Sequence, residues 1–239
     1  MNMSACTHKG KIRSANEDNC YISTGDLTYL VVADGMGGHK GGKIASSTVI
    51  ECIKSYLSAD RMKNCENIPE CLLKCVDYAN LTVYKKASSE ENLVGMGTTL
   101  VMLYISGDTA YVLNVGDSRC YQIRDKKIKQ ITKDHSVVQE LFDNGKIEFS
   151  DMKKHPNKNI ITRAIGTDFN VKCDVFEVSL KEDDGFILCS DGLSNMIEDE
   201  EILKIFLESS DTKECANKLV EMANDAGGTD NITVIAAKM

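Results

Sequence analysis

Short apolar runs separated by polar turns dominate this chain. Their length and their β-branched and aromatic content predict strands over Tyr29–Ala33, Thr98–Ile105, Thr109–Val115, Arg119–Ile123, Val171–Val178, Gly185–Cys189 and Ile232–Ala237. Ser106-Gly107-Asp108 and Arg124-Asp125-Lys126 are tight polar turns, which predict hairpins and hence antiparallel neighbours. Helical spacing appears in Ile44, Val49, Ile53 and Leu57, then in Leu72, Cys75, Ala79 and Val83. A later pair is marked by Ile202, Ile205 and Phe206 and by Ala216, Leu219, Val220 and Ala223. Meandering strands with paired helices predict an α+β fold, antiparallel sheets with helices stacked outside them. Residues 136–160 are polar and weakly periodic apart from a short helix around Val138–Phe142, the character of a lid or binding loop.

The length of 239 residues suits one α/β-sized domain, and no Gly/Ser-rich linker or repeat interrupts it, so residues 1–239 are read as one domain. A formal charge of −8 argues against nucleic acid or an anionic membrane as a partner. No stretch approaches the roughly 18 apolar residues of a membrane span, and Met1-Asn2-Met3-Ser4 carries no signal pattern, so a cytoplasmic protein is expected. The ten cysteines are spread through apolar segments, which predicts reduced core thiols. Cys65, Cys71 and Cys75 contain no Cys-x-x-Cys pair, which argues against structural zinc.

The chemistry lies in aspartates set beside glycine at strand ends. Asp34-Gly35 follows the Leu30–Ala33 run, Gly116-Asp117 follows Val112–Val115, and Asp191-Gly192 follows Phe186–Ser190. Gly227-Gly228-Thr229-Asp230 precedes the last strand. Any one of these is ordinary turn punctuation. Four of them can converge if their strands belong to two packed sheets, and converging carboxylates require a neutralising cation. Oxygen-only ligands select Mg²⁺ or Mn²⁺, and a pair of such ions sharing one carboxylate forms a phosphoryl-hydrolysis centre.

With these residues the sequence resembles the metal-dependent protein Ser/Thr phosphatases of type 2C, in their compact bacterial form. The resemblance runs through Gly10-x-x-Arg13-x-x-Asn16-Glu17-Asp18, Val32-Ala33-Asp34-Gly35-Met36-Gly37-Gly38-His39, Met96-Gly97-Thr98-Thr99 and Asn114-Val115-Gly116-Asp117-Ser118-Arg119. It continues through Asp134-His135-Ser136, Ile161–Gly166, Ser190-Asp191-Gly192-Leu193 and Gly228–Thr233. The resemblance implies a four-layer α-β-β-α sandwich, two central antiparallel sheets flanked by helix pairs. It implies that Asp34 bridges two Mn²⁺ or Mg²⁺ ions, that the Gly35 carbonyl binds the first, and that Asp191 and Asp230 bind the second. Asp117, with Asp191, would hold a weaker third ion, Glu17 and Asp18 would orient metal-bound waters, and Arg13 would bind the substrate phosphate. Residues 136–160 correspond to the family's flap. The implied reaction is direct attack of a metal-bridging water on phosphoserine or phosphothreonine without a phosphoenzyme, in a monomer that opposes a bacterial Ser/Thr kinase. Two positions depart from the pattern. Thr7-His8-Lys9-Gly10 has histidine where relatives usually have aspartate, and Met36 occupies the place of a histidine in eukaryotic relatives, which leaves His39 or a metal-bound water as the candidate acid, with a substrate contact as the other role for His39.

Competing readings are weaker. Gly37-x4-Gly42-Lys43 resembles a phosphate-binding loop, but the next residue, Ile44, offers no hydroxyl for Mg²⁺. No cysteine precedes an arginine with the Cys-x5-Arg spacing of thiolate phosphatases. A catalytically inactive regulatory module of the same fold would be expected to lack a ligand, whereas Asp34, Asp117, Asp191 and Asp230 are all in place. A phosphatase dedicated to one regulatory phosphoprotein is a narrower variant of the enzyme reading.

Overall fold

A computed structural model describes residues 1–37 and 41–239. The N-terminal half runs β1 (Asn2–His8), β2 (Asn19–Ser23), β3 (Thr28–Ala33), β4 (Gly35–Met36), α1 (Gly41–Tyr56), α2 (Ala59–Lys63), α3 (Ile68–Ser89), β5 (Gly97–Thr98), β6 (Leu100–Ser106) and β7 (Thr109–Val115). Then follow β8 (Arg119–Arg124), β9 (Lys127–Gln130), α4 (Val137–Asp143), α5 (Phe149–Met152), β10 (Asp174–Ser179), β11 (Gly185–Cys189), α6 (Asp191–Ser194), α7 (Asp199–Glu208), α8 (Thr212–Asp225) and β12 (Ile232–Lys238). The strands form two five-stranded antiparallel sheets, ordered β1-β12-β11-β8-β9 and β10-β7-β6-β3-β2, with β4 and β5 paired separately.

Period-two alternation accounts for the layering. On β3, Tyr29, Val31 and Ala33 pack with Val49, Ile53, Leu72 and Val83 of α1 and α3. Leu30 and Val32 point the other way, against Phe186, Leu188 and Ile235 of the second sheet. That sheet turns Ile187, Val234 and Ala236 to Phe206, Leu219 and Val220 of α7 and α8. Inner strands are covered on both faces, which is why they read as unbroken apolar runs. The result is the expected α-β-β-α sandwich. A fully buried Leu or Phe contributes roughly 1.5–3 kcal/mol, so the layer between the sheets fixes how their ends meet.

Register places the ends that matter together. Leu100 pairs with Val115 and Val32 with Val101, so β3 and β7 finish at the same edge. Cys189 pairs with both Val234 and Arg119, which sets the end of β11 beside the starts of β12 and β8. The predicted hairpins are present: Asp125 and Lys126 both have positive φ, 52° and 57°, as a two-residue turn matched to strand twist requires.

The structure departs from the sequence-based expectation at three points. β1, β2 and β9 went unpredicted because edge strands bury little on either face. The strand expected from Val171 begins at Asp174, and the run expected over Thr98–Ile105 is broken at Thr99. Uniformly reduced thiols are corrected: Cys65 and Cys71 form a disulfide, because the turn between α2 and α3 brings their Cα atoms to 6.4 Å. The remaining cysteines, Cys75 among them, are free.

Candidate metal centre

Asp34 leaves β3 at the sandwich edge and is held there by its backbone. Its N–H donates to Thr99 Oγ1 at 2.9 Å, while its carbonyl accepts from Thr99 N–H and from Thr98 Oγ1, both at 2.8 Å. Thr99 Oγ1 is in turn 2.7 Å from Ser118 Oγ. This is why the run breaks at Thr99: that residue anchors the loop bearing Asp34. The next residue, Gly35, lies directly against α1. A Cβ on Gly35 would sit 2.2 Å from the Gly42 carbonyl oxygen and 2.6 Å from that of Glu17.

Asp117 is set by a different scaffold. Gly116 has φ +105° and abuts Thr99, where a Cβ would meet Thr99 Cγ2 at 2.6 Å. The Gly116 N–H donates to His135 Nδ1 at 3.1 Å, and His135 Nε2 lies 3.2 Å from Asp174, which also pairs with Arg163 at 2.9 Å. Asp134 takes the guanidinium of Arg119 through contacts of 3.0, 3.1 and 2.6 Å. The tripeptide Asp134-His135-Ser136 thus divides its work between an ion pair, the Asp117 turn and the N-cap of α4, where Ser136 Oγ accepts from Gln139 N–H.

The segment from Lys9 to Asp18 is fastened by Asn231. Its Oδ1 accepts from Glu17 N–H at 2.8 Å and its Nδ2 donates to the carbonyls of Lys9 and Ala15 at 2.9 Å each. His8, where the resemblance leads one to expect aspartate, accepts the Gly10 N–H at 3.0 Å, so the turn is capped. Asp18 is buried and accepts from Ser190 Oγ and Thr233 Oγ1, each at 2.7 Å. Sequence reasoning assigned no role to Asn231, Thr99, Ser190 or Thr233, although all stand inside the quoted motifs.

These elements bring Arg13, Glu17, Asp34, Asp117, Asp191 and Asp230 to one cavity of about 260 Å³. Gly35, Asn159 and Ile161 complete part of its wall, the last two from the end of the 136–160 region or just beyond it. Arg13 lies beside the acids: its Nη2 donates to Asp230 Oδ2 at 2.7 Å. His39 lies outside the described residues.

Burial raises the Asp34 carboxyl well above the usual range, and the charges of Asp18, Asp191, Asp117 and Asp230 push in the same direction. Burial and then Asp191 do the same to Asp117. Asp18 is pushed up to about 7, by burial against the opposing hydroxyl hydrogen bonds, and Asp191 to about 6, by burial and the charge of Asp230. Among the described residues no three His, Cys, Asp or Glu side chains already close around one point; the acids line the walls of the cavity. The donors nonetheless suit hard cations. Buried Glu17 Oε1, Asp18 Oδ1 and Asp191 Oδ1 have no hydrogen-bond partner among the described residues, and orphaned carboxylate oxygens beside mutually repelling acids are relieved by a divalent ion.

This electrostatic strain predicts an unusual pH dependence. In the unfolded chain Asp18 and Asp191 lose their protons near pH 4, in the folded chain near 7 and 6. Between those limits the folded state binds more protons, so stability declines as pH rises. In EDTA the Tm is expected to drop by about 10 °C from pH 5 to pH 8. Manganese should shrink that drop. Thermal unfolding checks this, and a Tm that rises with pH in EDTA would contradict it.

Residues 7–227 match the family described as protein phosphatase 2C. The serine/threonine phosphatase stp of Listeria monocytogenes is 38% identical over 232 residues, covering 96% of this chain and 92% of that protein. The crystal structure of the Mycobacterium tuberculosis serine/threonine phosphatase PstP/Ppp superposes with a TM-score of 0.91 at 34% identity, covering 100% of this chain and 98% of that one. A structure of the catalytic domain of PstP in complex with two manganese ions gives a TM-score of 0.88 at 33% identity, over 99% and 97% of the two chains.

Proposed function

This chain belongs to the protein phosphatase 2C family and is a serine/threonine protein phosphatase, and from that premise we propose that it acts through a centre in which Asp34, the Gly35 carbonyl, Asp191 and Asp230 hold two divalent cations. One observation carries this reading: partly buried acids from the ends of both sheets converge on a single cavity that also presents an arginine. Manganese or magnesium bound there would supply a water of lowered pKa and positive charge against the phosphoryl oxygens.

The chain's own residues do the remainder. Asp34 feels the charges of Asp18, Asp191, Asp117 and Asp230 at once, which supports it as the carboxylate that both ions would share. Glu17 and Asp18, each with an orphaned oxygen, would orient metal-bound water. Asp117, with Asp191, would hold a weaker third ion. Arg13 presents a planar fork to two phosphate oxygens, and its bond to Asp230 holds it at the cavity. Residues 1–239 act as one domain, with 136–160 as a flap. The protein works as a monomer in the cytoplasm, on phosphoproteins made by a Ser/Thr kinase. None of the described helices is long and apolar enough to cross a membrane.

The direct test is phosphate release from phosphothreonine and phosphoserine peptides with Mn²⁺ and with EDTA. Turnover confined to the Mn²⁺ samples supports the reading; equal rates in both would overturn it. In the same assay Arg13→Ala is expected to raise KM by about tenfold or more, as the loss of a charge-assisted contact does, with a smaller change in kcat. A fall in kcat at constant KM would remove Arg13 from substrate binding.

A further inference from the structure

On this acidic chain the stretch from Met152 to Ile160 stands apart, with Lys153, Lys154 and Lys158 and no acidic residue. It is held by consecutive tight turns: Lys154 N–H donates to Asp151 O at 3.1 Å, Lys158 N–H to His155 O at 3.1 Å and Ile160 N–H to Asn157 O at 3.1 Å. The Val137 N–H donates to Ile160 O at 2.9 Å, which ties its end to the start of α4. The lysines therefore stand on ordered backbone.

Lys158 and Asn159 are neighbours that serve adjoining cavities. Asn159 lines the catalytic cavity, and Lys158 lines a smaller one of about 50 Å³ whose wall, Asp117 and Asp191, is common to both. The other cations of that smaller cavity are already paired, Arg119 with Asp134 and Lys153 with Glu198. Among the described residues Lys158 and Lys154 form no ion pair. An extended peptide advances about 3.3–3.6 Å per residue, so a substrate with its phosphate in the catalytic cavity would bring side chains a few residues away to the adjoining cavity that Lys158 lines. An unpaired ammonium there attracts a negative group and repels a positive one.

We propose that Lys158, supported by the field of Lys154, makes this phosphatase prefer phosphoresidues that have a second anionic group nearby in the substrate chain, a carboxylate or another phosphate. The proposal rests on the phosphatase reading and adds a selectivity to it. The alternative role for Lys158, balancing the charge of the buried acids, predicts a different pattern, because it would affect every substrate alike.

The experiment measures kcat and KM with Mn²⁺ for phosphothreonine peptides flanked by glutamate, by a second phosphothreonine, by alanine or by lysine, and for p-nitrophenyl phosphate. The wild type is expected to show a lower KM for both anionic flanks than for alanine. Lys158→Gln should raise those two KM values by about fivefold, in the range of a partly exposed ion pair, and leave p-nitrophenyl phosphate unchanged. Lys158→Glu should shift the preference to the lysine-flanked peptide. If only one anionic flank responds, that group is the ligand recognised. Equal changes for all substrates, or wild-type turnover without flank preference, would overturn the proposal alone. Absence of any Mn²⁺-dependent turnover would overturn the phosphatase reading beneath it.

Discussion

Asp34→Ala is expected to lower kcat on a phosphothreonine peptide by at least about 10³-fold while leaving the Tm in EDTA unchanged or raised. The loss follows from the place of Asp34 on the cavity it shares with Asp117, Asp191 and Asp230, all of whose charges act on its carboxyl. A carboxylate shared by two cations would be the ligand whose removal disturbs both at once, and water that loses such activation would revert toward the pKa of bulk water, about 15.7. The stability effect has the opposite sign because the deleted group is a buried acid repelled by its neighbours. Its backbone bonds to Thr98 and Thr99 survive the substitution. Steady-state kinetics paired with thermal unfolding in EDTA reads both effects; retained turnover would remove Asp34 from the centre, and a Tm lowered by more than a few degrees would make its role structural.

Gly42→Ala sets two levels of argument against each other. Gly42 lies in the first turn of α1, where intrinsic propensity favours alanine over glycine by about 1 kcal/mol. Packing says the reverse. A Cβ at Gly42 would stand 2.6 Å from both the carbonyl carbon and the oxygen of Gly35 and 2.8 Å from Met36 N, all backbone atoms that cannot swing aside. Because the contact is with a proposed cation ligand, any relief moves the Gly35 carbonyl. A stability loss of about 3 kcal/mol or more, seen as a Tm drop of roughly 10 °C, is expected together with weaker Mn²⁺ dependence of turnover. A variant more stable than wild type would show that helix propensity outweighs the backbone contact.

How much of this was legible in the sequence depended on whether a residue's signal was local. Strands covered on both faces, such as β3, β7, β11 and β12, announce themselves as apolar runs, and the helices by their spacing. The four aspartates were visible because the ends of such runs are visible. Their convergence was not, since it depends on sheet order and on the layer of Leu30, Val32, Phe186, Leu188 and Ile235 between the sheets. Within single strands those residues are indistinguishable from any other buried position. The resemblance to the phosphatase family supplied that missing long-range information.

The supporting residues were hidden for a related reason. Asn231, Ser190 and Thr233 look like ordinary turn and strand-end polar residues, and only the fold reveals that they hold Glu17 and Asp18. Histidine at position 8 looked like a lost family aspartate, yet its Nδ1 accepts the Gly10 N–H. Lys158 carried no motif at all. The Cys65–Cys71 pair could not be read from spacing, because it depends on the turn between α2 and α3.

Manganese anomalous scattering from crystals grown with the ion tests the central claim most directly. Two strong peaks are predicted in the cavity, flanking Asp34 and within bonding distance of the Gly35 carbonyl, Asp191 and Asp230. Peaks only at other surface acids, with these four groups uncoordinated at saturating manganese, would contradict the account.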